Sequence, residues 1–437
     1  MNTRTESVNT HMNEPRESAR GLLAPLTRRG FVTKGMAFVG IGSVLPAAFI
    51  RATFAESMPP GAVTSSQRRA LVVLQLGGGN DGLNTVIPYA DGAYYDARPH
   101  IGVAPEAALH LDGAIALNPE MQGLKALYDA GNLAIVQGVG YPNPDRSHFR
   151  SMEIWHTASM TEHAPTGWLG RLLDATHHEQ DALWRAASIG SEVPESLAAV
   201  DSFVPSLESV QSYGLQMDRA AARQASRRTT DWMRLYAQQA AMGGALALLS
   251  RTGTEAYASS VSLKSATSAY QPRATYPANA LGSALQTAAQ LITSNLGTGI
   301  CYVTTGGFDT HAAENAAQPA LLRGVSEAVA AFYADLGAQG LASDVLTMMW
   351  TEFGRRVREN GSLGTDHGTA GPVFLMGGGV RGGLYGEAPS VRDLDGNGDL
   401  RFTTDFRSVY ASLLVGWFAT DPRDVLDAAY PTIPFLG

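Results

Sequence analysis

Carboxylates and imidazoles gather in four short loops of this chain. Asn80 and Asp81 close a Gly-rich turn, Asp309 and His311 stand in GGFDTH, Glu352 lies in TEFGR, and Asp366 and His367 lie in GTDHG. Mixed oxygen and nitrogen donors of this kind, once brought together, suit a divalent cation such as zinc or manganese. The two-residue offset lets Asp309 and His311 face one point when Thr310 projects away. A fifth segment carries Arg146, Ser147, His148, Arg150, Ser151, Glu153 and His156. Ser147 is a candidate hydroxyl nucleophile. Adjacent residues on an extended strand face opposite ways, so His148 need not be its base, and a metal would serve to lower the hydroxyl pKa instead. Arg146, Arg150 and Arg355 each offer a bidentate fork for phosphate or sulfate. Every one of these residues has an ordinary alternative: Asp309 or Asp366 capping a helix or turn, His367 bonded to backbone, an arginine in a surface ion pair. Only the joint placement argues for a site.

That placement depends on the strands. Residues 70–76 (ALVVLQL) form an apolar run too short for a helix and break into GGGND, as buried strands of a parallel sheet do. Further strands are expected at 133–138, 299–305, 345–351 and 372–377, and helices at 120–130, 166–174, 229–250, 278–293, 319–338 and 406–418. Strands alternating with helices over this length predict a three-layer α/β/α sandwich around a mostly parallel sheet. Three of the four acidic loops directly follow a strand, which sets them on one rim, where ligands of such sheets bind. The stretch 146–182 reads as a long functional loop, 186–277 as a largely helical insertion, and 251–277 as a linker within the domain. Gly77-Gly78-Gly79 lacks the spacing and the lysine of a phosphate-binding loop. Asp393-Leu-Asp395-Gly-Asn397-Gly-Asp399 resembles part of a calcium loop but lacks the terminal glutamate, so a hairpin turn is expected and calcium is the lesser alternative.

The N-terminus reads as a targeting segment. Thr27-Arg28-Arg29-Gly30-Phe31-Val32-Thr33-Lys34 precedes an apolar stretch, Gly35 to Ile50, and a small-residue site ending at Ala55. The paired arginines point to the twin-arginine export machinery as a partner and to a periplasmic or secreted location. Residues 1–55 are thus the signal, 56–69 a polar linker and 70–437 the folded domain, of about 380 residues counted from the cleavage site, a size for one large domain. Cleavage removes seven basic and three acidic residues and takes the net charge from −8 to about −12. So acidic a domain has no footprint for nucleic acid. No later segment is apolar enough for a stable membrane span. The one cysteine, Cys301, excludes an internal disulfide and reads as packing.

The blocks LGGGNDGLNTVIPY (76–89), GVGYPNPDRSHFRSMEIWHT (138–157), GGFDTHA (306–312), TEFGRRVRENGSLGTDHG (351–368) and TTDFRSVYASLLVGW (403–417) closely resemble DUF1501, a family of exported bacterial proteins. That family is remotely similar to the alkaline phosphatase and sulfatase superfamily, which implies a metal-dependent, alkaline phosphatase-like fold. By this resemblance Asp81 matches the metal-binding aspartate after the first strand, Ser147 the nucleophile, and Asp309 and His311 later ligands. Glu352 then stands for an aspartate, Phe353 for a missing histidine, and His367 for the last histidine. A second alignment pairs Asp366-His367 with the superfamily's Asp-His and leaves no later histidine. On either, one imidazole is absent, which allows a single-metal or degenerate site. The expected activity is hydrolysis of phosphate or sulfate esters, with Ser147 attacking and Arg150 or Arg355 holding the anionic group. The alternative is a non-catalytic envelope protein that binds a glycan or a partner on the same scaffold.

Overall fold

The computed structural model describes residues 69–437 except 162, 178–183, 215–229, 232–233, 237–249, 251–256, 258 and 295. The signal 1–55, nearly all of the linker 56–69 and most of the helix expected over 229–250 lie outside the described residues.

Among the described residues nine strands form the main sheet: β1 (Ala70–Leu76), β2 (Leu133–Gly140), β3 (Ala186–Ile189), β4 (Ser206–Leu207), β5 (Ile300–Thr305), β6 (Val345–Trp350), β7 (Gly371–Gly377), β8 (Gly383–Tyr385) and β9 (Thr404–Asp405). Their order is β8-β2-β7-β6-β1-β5-β3-β4, with β9 also on β2. Among these strands only β7 runs antiparallel to its neighbours, β2 and β6. β1 lies at the centre, which explains why it is apolar apart from the buried Gln75: both faces are covered. Val72 and Leu74 point into one core, Leu71 and Val73 into the other.

The layers on the two faces are built from α1 (Gln122–Asp129), α2 (His148–Thr157), α3 (Trp168–Ala175), α4 (Ala280–Thr293), α5 (Glu314–Ala338) and α6 (Phe406–Gly416). α1, α4 and α5 bury Leu124, Leu285, Val325 and Phe332 in the first core, while α2, α3 and α6 bury Trp155, Leu169 and Tyr410 in the second. The expected three-layer α/β/α sandwich with a mostly parallel sheet is the observed architecture. Cys301 sits in β5, fully buried, and burial pushes its thiol up to about 12. No helix among the described residues is long and apolar enough to cross a membrane.

Four expectations need correction. The segment 146–182 is not a long loop, because 148–157 is the helix α2. The region from 186 opens with two strands of the main sheet, β3 and β4, rather than with helices. Residues 259–267, expected in a linker, are helical. Helix α5 starts at Glu314, with Pro319 inside it rather than near its start, where proline is most at home. The 393–399 segment does form a turn: Asp395 Oδ1 accepts from the amides of Asn397 at 2.8 Å and Asp399 at 2.9 Å, and Leu394 bridges to Leu400.

Candidate metal centre

β1, β5 and β6 are in parallel register, Leu76 beside Thr305 and Gln75 beside Trp350, so their following loops share one rim. β7 begins where they end because it is antiparallel, and this brings residues 366–368 to the same place. The triple-glycine turn after β1 is a packing device. Gly78 and Gly79 have positive φ, 118° and 70°. A Cβ on Gly79 would lie 2.2 Å from the Phe353 ring, and one on Gly78 2.6 Å from the Asp309 amide. Only glycine lets this turn pass against both.

Three imidazoles meet at Asp309, and in each the Nδ1 faces an acceptor. His148 Nδ1 is 2.7 Å from Glu352 Oε1, His367 Nδ1 is 2.9 Å from the Arg146 carbonyl, and His311 Nδ1 is 3.4 Å from Asp366 Oδ1. These acceptors orient each ring with its Nε2 turned toward Asp309, where a bound cation would take the Nε2 lone pairs. The Nε2 atoms converge: those of His311, His367 and His148 lie 2.9, 3.1 and 3.6 Å from the Asp309 carboxylate. His311 and His367 face each other with their Nε2 atoms 2.9 Å apart. Phe353 packs against the rings of His148 and His367, with centroids 4.9 and 4.8 Å away.

Arg355 fixes the carboxylate. It is 1% exposed, and its guanidinium donates to the carbonyls of Gly79 at 2.5 Å, Thr365 at 2.8 Å and Phe308 at 3.1 Å, to that of Gly78, and to Asp309 Oδ1 at 2.6 Å. Burial raises the Asp309 pKa, but the Arg355 and His367 hydrogen bonds outweigh it and hold the carboxyl at about 2. Burial lowers the His367 pKa, against the pull of Asp309. An ionised carboxylate thus faces an imidazole that favours its neutral form, the states in which both ligate metal.

Of the residues predicted to form the site, Asp309, His311 and His367 come together. Glu352 and Asp366 stand one step back, orienting His148 and His311. Asp81 is elsewhere engaged: Oδ1 caps a short helical turn through the amides of Leu83 at 3.0 Å and Asn84 at 3.3 Å, and Oδ2 pairs with buried Arg98. Arg150 lies two residues beyond His148 in α2, so it points to another side of the helix, where it binds Glu153 at 2.6 Å and the Met160 carbonyl at 2.5 Å. Neither Arg150 nor the enclosed Arg355 is placed to receive an anion. Ser147 is the exposed N-cap of α2, between Arg146 and His148. His148 is the candidate ligand that the sequence did not assign to this group. His156 is buried beside Tyr302 and Gln75, and burial lowers its pKa to about 4, so it is a neutral packing group.

Behind the centre lies a second buried cluster. Glu314, at the start of α5, accepts from Asn84 Nδ2 at 2.9 Å and from Thr365 Oγ1 at 2.8 Å. Burial, then the Asp81 charge, pushes its pKa up to about 9. Between its ordinary value and about 9 the folded chain holds a proton that the unfolded chain releases, so stability from this group falls as pH rises. Glu314→Gln copies the protonated acid. It is expected to keep the fold and flatten the decline in denaturation midpoint between about pH 6 and 9.

A helix-flanked sheet whose rim holds three imidazoles and a carboxylate offers a donor set that could hold a metal ion. Residues 134–428 match the family model "Protein of unknown function (DUF1501)". The chain belongs to this family. Comparison with curated proteins finds no match. Among solved structures it is similar to a 2-O GAG sulfatase, at 9% identity and TM-score 0.37, over 83% of this chain and 71% of that one. It is also similar to the PsFucS1 sulfatase from Pseudoalteromonas sp., at 13% identity and TM-score 0.31, over 72% and 64% of the two chains. The lipoteichoic acid synthase LtaP from Listeria monocytogenes matches at 8% identity and TM-score 0.33, over 83% and 81%. At these TM-scores the likenesses are loose and bear no functional conclusion.

Proposed function

We propose that the chain is a metal-dependent hydrolase of phosphate or sulfate esters with one metal ion. The observation that supports this most is the convergence of three Nε2 atoms on the Asp309 carboxylate. Asp309, His148, His311 and His367 would hold the ion. With bonds of about 2.0–2.1 Å, two nitrogens on one ion lie roughly 3 Å apart at right angles and about 3.4 Å apart in a tetrahedron. The His311–His367 separation of 2.9 Å falls at the tight end of that range. The ligand atoms of His148, Asp309 and His367 lie within 4.8 Å of one another, so closing tetrahedrally on an ion asks the widest separation to shrink by up to about 1.4 Å. A second ion lacks ligands among the described residues, since Asp81 is neutralised by Arg98 and Phe353 offers no donor.

A divalent cation here supplies Lewis-acid polarisation of an ester oxygen and lowers the pKa of a bound hydroxyl or water. The chain's own groups do the rest. Glu352, Asp366 and the Arg146 carbonyl hold the three ring tautomers. Ser147 is the hydroxyl the chain offers at the rim. With Arg150 and Arg355 committed, Arg146 would meet an anionic group through the part of its guanidinium that its contact with Asp399 leaves accessible, its side chain being 31% exposed. A cleft of about 280 Å³ bounded by Tyr141, Pro144, Phe353 and Phe402 opens beside the centre and suits the non-reacting part of a substrate.

Metal analysis of the purified protein and turnover of a panel of phosphate and sulfate esters test this reading. The expected result is about one divalent ion per chain, zinc or manganese, and an ester turned over by the wild type but not by Ser147→Ala. Absence of bound metal, with no turnover, refutes it. Metal without turnover favours the second reading, a glycan- or partner-binding protein, which the commitment of Arg150 and Arg355 also supports. Export through the twin-arginine segment belongs to the proposal, and the N-terminal residue of the protein recovered outside the cytoplasm should then be Glu56.

A further inference from the structure

Asp399 is fully buried, yet neither carboxylate oxygen has a hydrogen bond of good geometry. A desolvated carboxylate so poorly served costs stability and calls for a reason. Its surroundings supply one. Oδ2 lies 3.2 Å from Nε of Arg146, and Oδ1 lies 3.7 Å from Nε of Arg356. These two arginines belong to two segments that build the centre. Arg146 stands two residues before His148, and its carbonyl faces His367 Nδ1 at 2.9 Å. The amide of Arg356 donates to the Asp366 carbonyl at 3.0 Å, next to His367, and the preceding residue, Arg355, holds Asp309. One buried charge thus sits between the 141–148 segment and the 351–368 loop and attracts both.

We propose that Asp399 is the positioning residue of the metal centre: by holding the Arg146 side chain it aims the Arg146 carbonyl at His367, and so keeps His367 Nε2 turned toward Asp309. This rests on the metal-centre reading for its consequence, but not for its geometry, which concerns one carboxylate, one arginine and one ring. The same contact sets the direction of the Arg146 guanidinium at the rim.

The test is Asp399→Asn, which keeps size and removes charge, together with Arg146→Ala and the double variant, all in the full chain. Nitrogen NMR of the histidine rings in metal-free protein reads the His367 tautomer directly. The wild type is expected to show a proton on His367 Nδ1, and Asp399→Asn that proton in only part of the molecules, with far-UV circular dichroism unchanged. Zn²⁺ titration should give an affinity about 10–100-fold lower in Asp399→Asn, the usual effect of losing an outer partner. The double variant should lose little more than either single one, because both break one chain of contacts. An unchanged His367 tautomer in a folded Asp399→Asn protein overturns the proposal, as does an unchanged Zn²⁺ affinity. Should Asp399→Asn fail to fold, the Arg146→Ala tautomer and affinity decide by the same criteria. A wild type that binds no Zn²⁺ sinks the metal reading alone, and the tautomer measurement still judges Asp399.

Discussion

Asp309→Ala is expected to abolish stoichiometric metal binding, with a loss of affinity well beyond the roughly 10–100-fold typical of an outer-shell partner. Asp309 is the point on which the three Nε2 atoms converge, at 2.9, 3.1 and 3.6 Å. Without its negative charge three neutral rings would have to bind a dication alone. The variant also strips the Arg355 guanidinium of its charged partner in this loop, although four backbone carbonyls still receive it. The fold is therefore expected to survive while the centre empties. Titration with Zn²⁺, followed by metal analysis after dialysis, measures this. Retention of one tightly bound ion by a folded Asp309→Ala protein would place the metal elsewhere.

Arg98→Met should act in the opposite way, on the fold first. Arg98 and Asp81 form an ion pair with both side chains fully enclosed. Arg98 also donates to the carbonyls of Val357 and Arg356, each at 2.9 Å, and so joins the turn after β1 to the loop that carries Arg355. Removing one partner of a buried pair leaves the other charge desolvated, which costs about 3–5 kcal/mol. The Asp81 pKa is lowered because, although burial raises it, the Arg98 charge and hydrogen bond prevail. In the variant that carboxyl should take up a proton on folding, and its stability should rise as pH falls. Chemical denaturation at two pH values checks both expectations, and a midpoint equal to that of the wild type would show that the pair is not structural.

The sheet was legible because its central strands are buried on both faces. β1, β5, β6 and β7 are short apolar runs ending in glycine or in polar loops, and this pattern fixes both strand identity and a shared rim. The acidic loops could be placed on that rim from sequence for the same reason. α2 was not legible. Its sequence HFRSMEIWHT is mostly polar, with Ile154 and Trp155 as its buried apolar side chains, so its apolar stripe is too thin to declare a helix. Reading it as extended hid His148. Ser147, a residue type favoured at N-caps, and the spacing of Ser151, Ile154 and Trp155 on one face were the available signals. The roles of Asp81 and Arg355 depend on partners far away in the chain. A buried arginine looks like a surface arginine until the fold brings Gly78, Gly79 and Asp309 around it.

Cys301 has a consequence for how the chain endures a change of surroundings. A thiol shut inside β5 and held in its protonated form is a poor nucleophile and cannot be reached by small oxidants or by another thiol. The covalent structure is then the same under reducing and oxidising conditions. Were the folded domain to pass from one redox environment to another, it would have no disulfide to form, break or rearrange.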